Sequence, residues 1–303
     1  MVGLPLDSPQ WEKIDHAYGK CDSTLSLLCQ LNEFADACEQ NLEIANSDRA
    51  TELLRLLRDE FGNNLFHQQT IYSATIAAVP HFVELANRLP LRFHFEILHD
   101  VAWIQMVGGF LHAEKFPGLK KWYTDAIIAA SEMMQNWSSE SFMQELSKEF
   151  AESIWLEMHV LRSLLSMRNV PEDQLPNEMA LANVVHWFEE QYFRCTSCGL
   201  DFYQRWYESD IAFEIWPKEL GLLRERVDDS IRHRVEFQRN SNPDLAELDL
   251  QTRKAYSMMN SFVNESWMPH AFAWVGGFFT KFECSKCELS FFPAIQIIKQ
   301  YEN

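Results

Sequence analysis

The chain has 303 residues, 26 of them basic and 44 acidic, for a formal charge of −18 at pH 7, and 47% of its residues are hydrophobic. That length and apolar content support one large domain or two modest ones with a sizeable core, and exclude a disordered or low-complexity chain. The acid excess excludes a direct nucleic-acid binder, which needs clustered Lys and Arg, and 10 Gly with 11 Pro are too few turn formers for a large sandwich or barrel.

At the N-terminus, Asp7, Pro5 and Pro9 stand where a secretory signal would need a basic stretch followed by an apolar one, so no signal is expected. Between Cys21 and Asp48 lie six acids and no Lys or Arg. On a helix, Glu33, Asp36, Glu39 and Glu43 share one broad face. Residues 48–61 read as a helix capped by Ser47, with Leu53, Leu54, Leu57 and Phe61 on the apolar side and Gly62 as its end. The longest uncharged run, Phe61 to Val83, is broken by Asn63, Asn64, His67, Gln68, Gln69 and Pro80, so no membrane span is expected. Pro80 predicts a kink, or two short helices, within residues 72–86. Longer helices are expected over 118–135 and 141–167, the second burying Ile154, Met158, Leu161 and Leu165 and turning Glu145, Glu149 and Glu152 to solvent. Further on, residues 201–206 suggest a short hairpin strand, Asn240 to Pro243 a polar break, and 251–263 and 269–281 two final helices.

The most specific signal is a duplication. Phe193-Arg-Cys195-Thr-Ser-Cys198-Gly-Leu200-Asp-Phe202-Tyr203 recurs 89 residues later as Phe282-Glu-Cys284-Ser-Lys-Cys287-Glu-Leu289-Ser-Phe291-Phe292. Two thiolates from one tight turn can share a metal ion, and two such turns supply the four ligands of a closed tetrahedral zinc site. Cys195, Cys198, Cys284 and Cys287 are therefore the expected ligands of a structural zinc, with the flanking Phe and Leu side chains as an apolar shell. The remaining three cysteines (Cys21, Cys29, Cys38) read as packing thiols, and free thiols fit a reducing cytoplasm.

No catalytic constellation stands out. Glu96-x-x-His99 lacks the second copy that a di-iron bundle needs, and His186 with Glu189 and Glu190 reads as a surface pair. Gly108-Gly109 and Gly276-Gly277 read as helix breaks or close helix contacts. A chain with no G-x-S-x-G, no H-E-x-x-H and no phosphate-cradling glycine loop is expected not to be an enzyme.

Residues 62–85 contain Phe66-His67-Gln68-Gln69-Thr70-Ile71-Tyr72-Ser73-Ala74-Thr75, then Ala78-Val79-Pro80-His81-Phe82. This run resembles a pattern of bacterial HEAT-repeat-like proteins: an aromatic, then H-Q-x-T-V-Y-x-A-T-x-x-A-V-P-F. Trp11-Glu-Lys-Ile-Asp-His16-Ala17-Tyr18-Gly19 is similar to that group's opening. Phe66 stands where Trp is frequent, Gln69 where Gly is, and Ser73 where Pro is. In physical terms, the His67, Thr70, Tyr72 and Thr75 side chains would tie a loop to the next helix, with Ser73 or Thr75 as its cap. The resemblance implies an all-α, HEAT-like antiparallel helical array over residues 1–190, followed by a C-terminal helical region (191–303) carrying the zinc-knuckle module. Members of the group are often encoded beside polymorphic toxins, so it also implies an immunity protein that neutralises a cognate toxin. The acidic face would steer a basic partner, such as a nuclease toxin domain. The alternative is a helical scaffold or adaptor for a housekeeping protein; a hydrolase or glycosylase on such a scaffold would need a basic groove.

Overall fold

In the computed structural model, residues 3–150, 153–168, 175–188, 190–207, 212–217, 233–236 and 246–301 are described. The chain is predominantly helical with short strands, as its composition predicts. It divides into two compact units, one of Met1–Asn136 with Ser166–Asn169, the other of Trp137–Leu165 with Val170–Asn303. The boundary expected after residue 190 thus falls inside the second unit.

The first unit begins with a short hairpin, β1 (Asp15–His16) and β2 (Gly19–Lys20), and continues through helices α1 (Asp22–Gln40), α2 (Asp48–Asp59), α3 (Ser73–Ala86), α4 (Leu91–Met106), α5 (Gly109–Ala113) and α6 (Pro117–Met133). Helix α3 is the hub, packing against α1, α4, α5 and α6. Its side chains from Ala74 to Pro80, together with Phe82 and Val83, are all buried, and a helix apolar all round can only sit inside its neighbours. That surrounding packing also explains why α3 runs through Pro80 as one element rather than two, although Pro80 brings no N–H to the helix ladder.

In the segment before α3 the expected ties form only in part: the N-cap position falls on Tyr72 rather than on Ser73 or Thr75, and His67 meets Tyr18. Thr75 Oγ1 accepts the Tyr72 N–H at 3.0 Å and donates to the Leu65 carbonyl, while Ser73 Oγ accepts the Asp15 N–H at 3.1 Å. Ser47 Oγ caps α2 by accepting from Ala50 N at 3.3 Å. Beyond α2, however, Gly62 does not stop the chain turning: residues Glu60–Leu65 form a π-helical turn closed by Phe66 N–H to Phe61 O at 2.9 Å. Within it the buried Glu60 accepts from Ser23, Thr24 and Asn64, so its carboxylate is satisfied inside the unit. Gly108, at φ 101°, breaks the chain between α4 and α5, and a Cβ on Gly109 would lie 1.9 Å from the buried Tyr123 hydroxyl. This pair is thus both a break and a close contact.

The second unit holds α7 (Glu140–Glu149), α8 (Ile154–Met167), α9 (Leu175–His186), an antiparallel sheet of β3 (Glu190–Arg194), β4 (Asp201–Tyr207), β5 (Ala212–Pro217) and β6 (His233–Glu236), then α10 (Leu250–Phe262), α11 (Pro269–Phe278), the two-stranded β7 (Phe282–Glu283) and β8 (Ser290–Phe291), and α12 (Pro293–Tyr301). The single helix expected over 141–167 is two, because Phe150 is extended (φ −124°, ψ 142°) and ends α7. Ile154, Met158, Leu161 and Leu165 are nevertheless all buried, and Glu145 and Glu149 exposed, as the periodicity requires; Glu152, Glu189 and the 240–243 break lie outside the described residues. Helix α12 packs on α9 and β3. Around the fully buried Trp274, whose indole N–H donates to the Phe188 carbonyl at 3.1 Å, Phe278 and Phe279 complete an aromatic core. No helix among the described residues is long and apolar enough to cross a membrane.

Candidate metal centre

The two Cys-x-x-Cys segments fold into matching knuckles. The first joins β3 to β4, where Cys195 N–H donates to Leu200 O at 2.8 Å and Gly199 N–H to Cys195 O at 3.0 Å. The second joins β7 to β8, where Cys284 N–H donates to Leu289 O at 2.9 Å and Glu288 N–H to Cys284 O at 2.8 Å. In both, the residue after the second cysteine is left-handed: Gly199 at φ 72° and Glu288 at φ 59°. The repeat seen in the sequence is therefore a repeat of backbone conformation, hydrogen bond for hydrogen bond.

The knuckles face one another, and the four thiol sulfurs lie within 4.8 Å of each other. The Cys195 and Cys287 sulfurs are 3.5 Å apart and those of Cys198 and Cys284 are 3.7 Å apart. A disulfide needs about 2.05 Å, whereas four sulfurs held about 2.3 Å from one tetrahedral ion are about 3.8 Å from each other. The two short contacts match the second spacing rather than the first, and the four expected ligands are brought together as one set that can hold a metal ion.

Aromatic rings close the apolar side. Phe193 and Phe202, register partners across β3 and β4, stack at 5.4 Å. Phe282 lies 5.0 Å from Phe202 and 5.4 Å from Phe193, and pairs across β7 and β8 with Phe291. The leucines do not join this shell: Leu200 is half-buried and Leu289 exposed. Their part is played by their carbonyls, which take the Cys195 and Cys284 N–H groups. An Arg194–Asp201 ion pair at 2.6 Å buttresses the first knuckle. Helix α12 adds Gln296 Oε1, which accepts the Arg194 N–H at 3.1 Å.

Electrostatics separates the four thiols. Burial opposes ionisation of Cys195, but N–H groups of Cys198 and Ser197, together with the neighbouring thiols, outweigh it and bring the group below its ordinary range. Burial pushes Cys284 the other way, and the hydrogen bonds it makes toward Cys195 and Cys198 raise it further. Four thiolates this close repel one another, and a cation in their midst removes that repulsion and displaces the protons.

The remaining cysteines separate as well. Cys21 and Cys38 are buried, as packing thiols are, but Cys29 is exposed. Glu96 pairs with Arg58 and His99 bonds Asp100, so that helix motif is occupied by ordinary ion pairs. Arg162 Nη1 donates to His186 Nδ1 at 2.7 Å; the Glu189 and Glu190 side chains expected beside it lie outside the described residues. Buried Arg162 and Glu157, on α8, were not foreseen; their only signal is that each interrupts an apolar stripe. Glu33, Asp36 and Glu39 lie exposed on α1 and Glu43 just beyond it, and Arg88 grips Asp36 and Glu39. No protein-family model, curated protein or solved structure matches the chain.

Proposed function

We propose that this chain is a non-catalytic immunity protein that binds a basic bacterial toxin domain through the acidic face of α1 and carries a structural zinc in its second unit. The observation that supports the binding reading most is the exposure of Glu33, Asp36 and Glu39 on α1; Glu43, expected on the same helical face, is exposed in the separate 3-10 turn that follows the extended Asn41. Arg88 neutralises part of the middle of that row, so Glu33 and Glu43, at its ends, are the residues to test. Across residues 1–136 there are 18 acidic and 10 basic side chains, so steering draws on the local row rather than on a concentration of the whole charge in the first unit. Zinc is favoured because an all-thiolate tetrahedral set suits that ion. Four protein ligands leave no open position for substrate, which makes the role structural.

Co-expression with the product of the adjacent gene tests the reading. Rescue of growth is expected, with tight binding that weakens as salt rises. Glu33→Lys with Glu43→Lys should slow association about tenfold at low salt and little at high salt. Full toxicity despite abundant folded protein overturns the immunity reading, and a partner encoded elsewhere would identify a scaffold instead.

A further inference from the structure

The geometry points to the four-cysteine centre being a thiol-oxidation site, at which peroxide converts the metal cage into two disulfides that cross between the knuckles. The inference rests on the metal reading above. In each knuckle one cysteine is buried (Cys195 at 1% exposure, Cys284 at 0%) and the other, Cys198 or Cys287, is half-buried. The short sulfur contacts run across the centre: half-buried Cys287 to buried Cys195 at 3.5 Å, and half-buried Cys198 to buried Cys284 at 3.7 Å. Each half-buried cysteine thus has a buried cysteine of the opposite knuckle beside it, the arrangement of an attacking and a resolving thiol. A shallow cavity of about 500 Å³, lined by Arg194, Cys195, Cys198, Gly199 and Gln296 among others, opens onto the first knuckle and gives a small oxidant its approach to the Cys-x-x-Cys turn.

The chemistry balances. The Cys198 thiolate attacks one oxygen of hydrogen peroxide; an S–O bond forms, the O–O bond breaks, and hydroxide leaves. The Cys284 thiolate then attacks the sulfenic sulfur, forming S–S, breaking S–O and releasing a second hydroxide. The two sulfurs together lose two electrons and the peroxide gains them. A second peroxide joins Cys287 to Cys195 in the same way. Every metal ligand is then consumed, the ion departs, and the knuckles stay tied by covalent bonds. Oxidation therefore exchanges one staple for another, where a disulfide within each Cys-x-x-Cys would let the two segments part.

The test treats zinc-loaded protein with hydrogen peroxide, following zinc release with a chromogenic chelator and mapping disulfides by non-reducing peptide mass spectrometry. Release of about one equivalent is expected, with Cys195–Cys287 and Cys198–Cys284 cross-links formed in parallel. Exposed Cys29 is the internal reference for non-specific oxidation. Zinc present, and the four thiols intact while Cys29 is oxidised, overturns the oxidation site and leaves the metal reading standing. Disulfides within each knuckle overturn it equally. No zinc in the purified protein, but cross-knuckle disulfides on peroxide treatment, overturns the metal reading and upholds the oxidation site.

Discussion

Glu288 holds a left-handed backbone, φ 59°, at the position its twin knuckle gives to Gly199. A Cβ in that region costs roughly 1 kcal/mol relative to glycine. Glu288→Gly should therefore stabilise the protein by about 0.5–1 kcal/mol, and Gly199→Ala, which has open space around it but the wrong backbone, should destabilise it by about 1 kcal/mol. Denaturant midpoints measure both. Gln69, at φ 61°, holds the same left-handed backbone without glycine. Gly109 differs in kind: its constraint is contact, so Gly109→Ala forces a shift of the buried Tyr123 and should cost about 3 kcal/mol, with Tyr123→Phe recovering part of it by removing the hydroxyl. The glycine pair was legible as special in the sequence. The tyrosine that makes it so, fourteen positions on in a different helix, was not, since the reading carried no information on which helices meet.

At the level of elements, α8 carries charge where its periodicity calls for packing. Helix α11 begins without a capping side chain. Glu157 from α8 supplies the missing acceptor, taking the Ala271 N–H and the His270 Nδ1–H at 2.7 Å each. Glu157→Ala leaves those donors buried and should cost about 2 kcal/mol. Arg162 has only N–H groups to offer, so its 2.7 Å contact requires a lone pair on His186 Nδ1 and fixes the neutral imidazole with its proton on Nε2. Burial first, and the Arg162 charge second, lower His186 to about 4. Because the folded value is depressed, the unfolded chain binds this proton more readily, and stability falls as pH drops from about 6.5 towards 4, by about 2–3 kcal/mol. Glu157 acts oppositely: burial raises it, so its share of stability is greatest in acid and is lost as pH rises through its folded value. His186→Gln should flatten the decline between pH 6.5 and 4 in thermal melts and leave the Glu157 trend. Apolar spacing along α8 was legible from periodicity, whereas its two buried charges were not, because their partners lie on other elements. Helix α12 carries little periodic signal of its own: it is short, and its buried residues Ala294, Ile297 and Ile298 follow directly after the second knuckle.

For the whole molecule, the metal centre is the feature that sequence made plainest, because duplicated ligands with duplicated flanks announce a shared geometry before any fold is known. What spacing could not convey is the exposure pattern, one buried and one half-buried cysteine per knuckle, or the four-stranded sheet that carries the first knuckle. Removing zinc with a chelator should lower the melting temperature by roughly 10 °C if the ion is held near a thousand times its dissociation constant, and Cys284→Ser should do the same without chelator. Differential scanning calorimetry of the two preparations checks it.

The pairing of Cys198 with Cys284 joins points 86 positions apart in the chain. During synthesis at 5–20 residues per second, roughly 4–17 s separate the two knuckles leaving the ribosome. Through that interval the first knuckle presents two thiols with no opposite half, and β3 and β4 lack the aromatic cover that Phe282 and Phe291 later provide. The second unit is therefore completed late. Its nascent form is the state most open to mispairing, to a competing metal, or to capture by a chaperone, and the arrival of Cys287 ends that exposure.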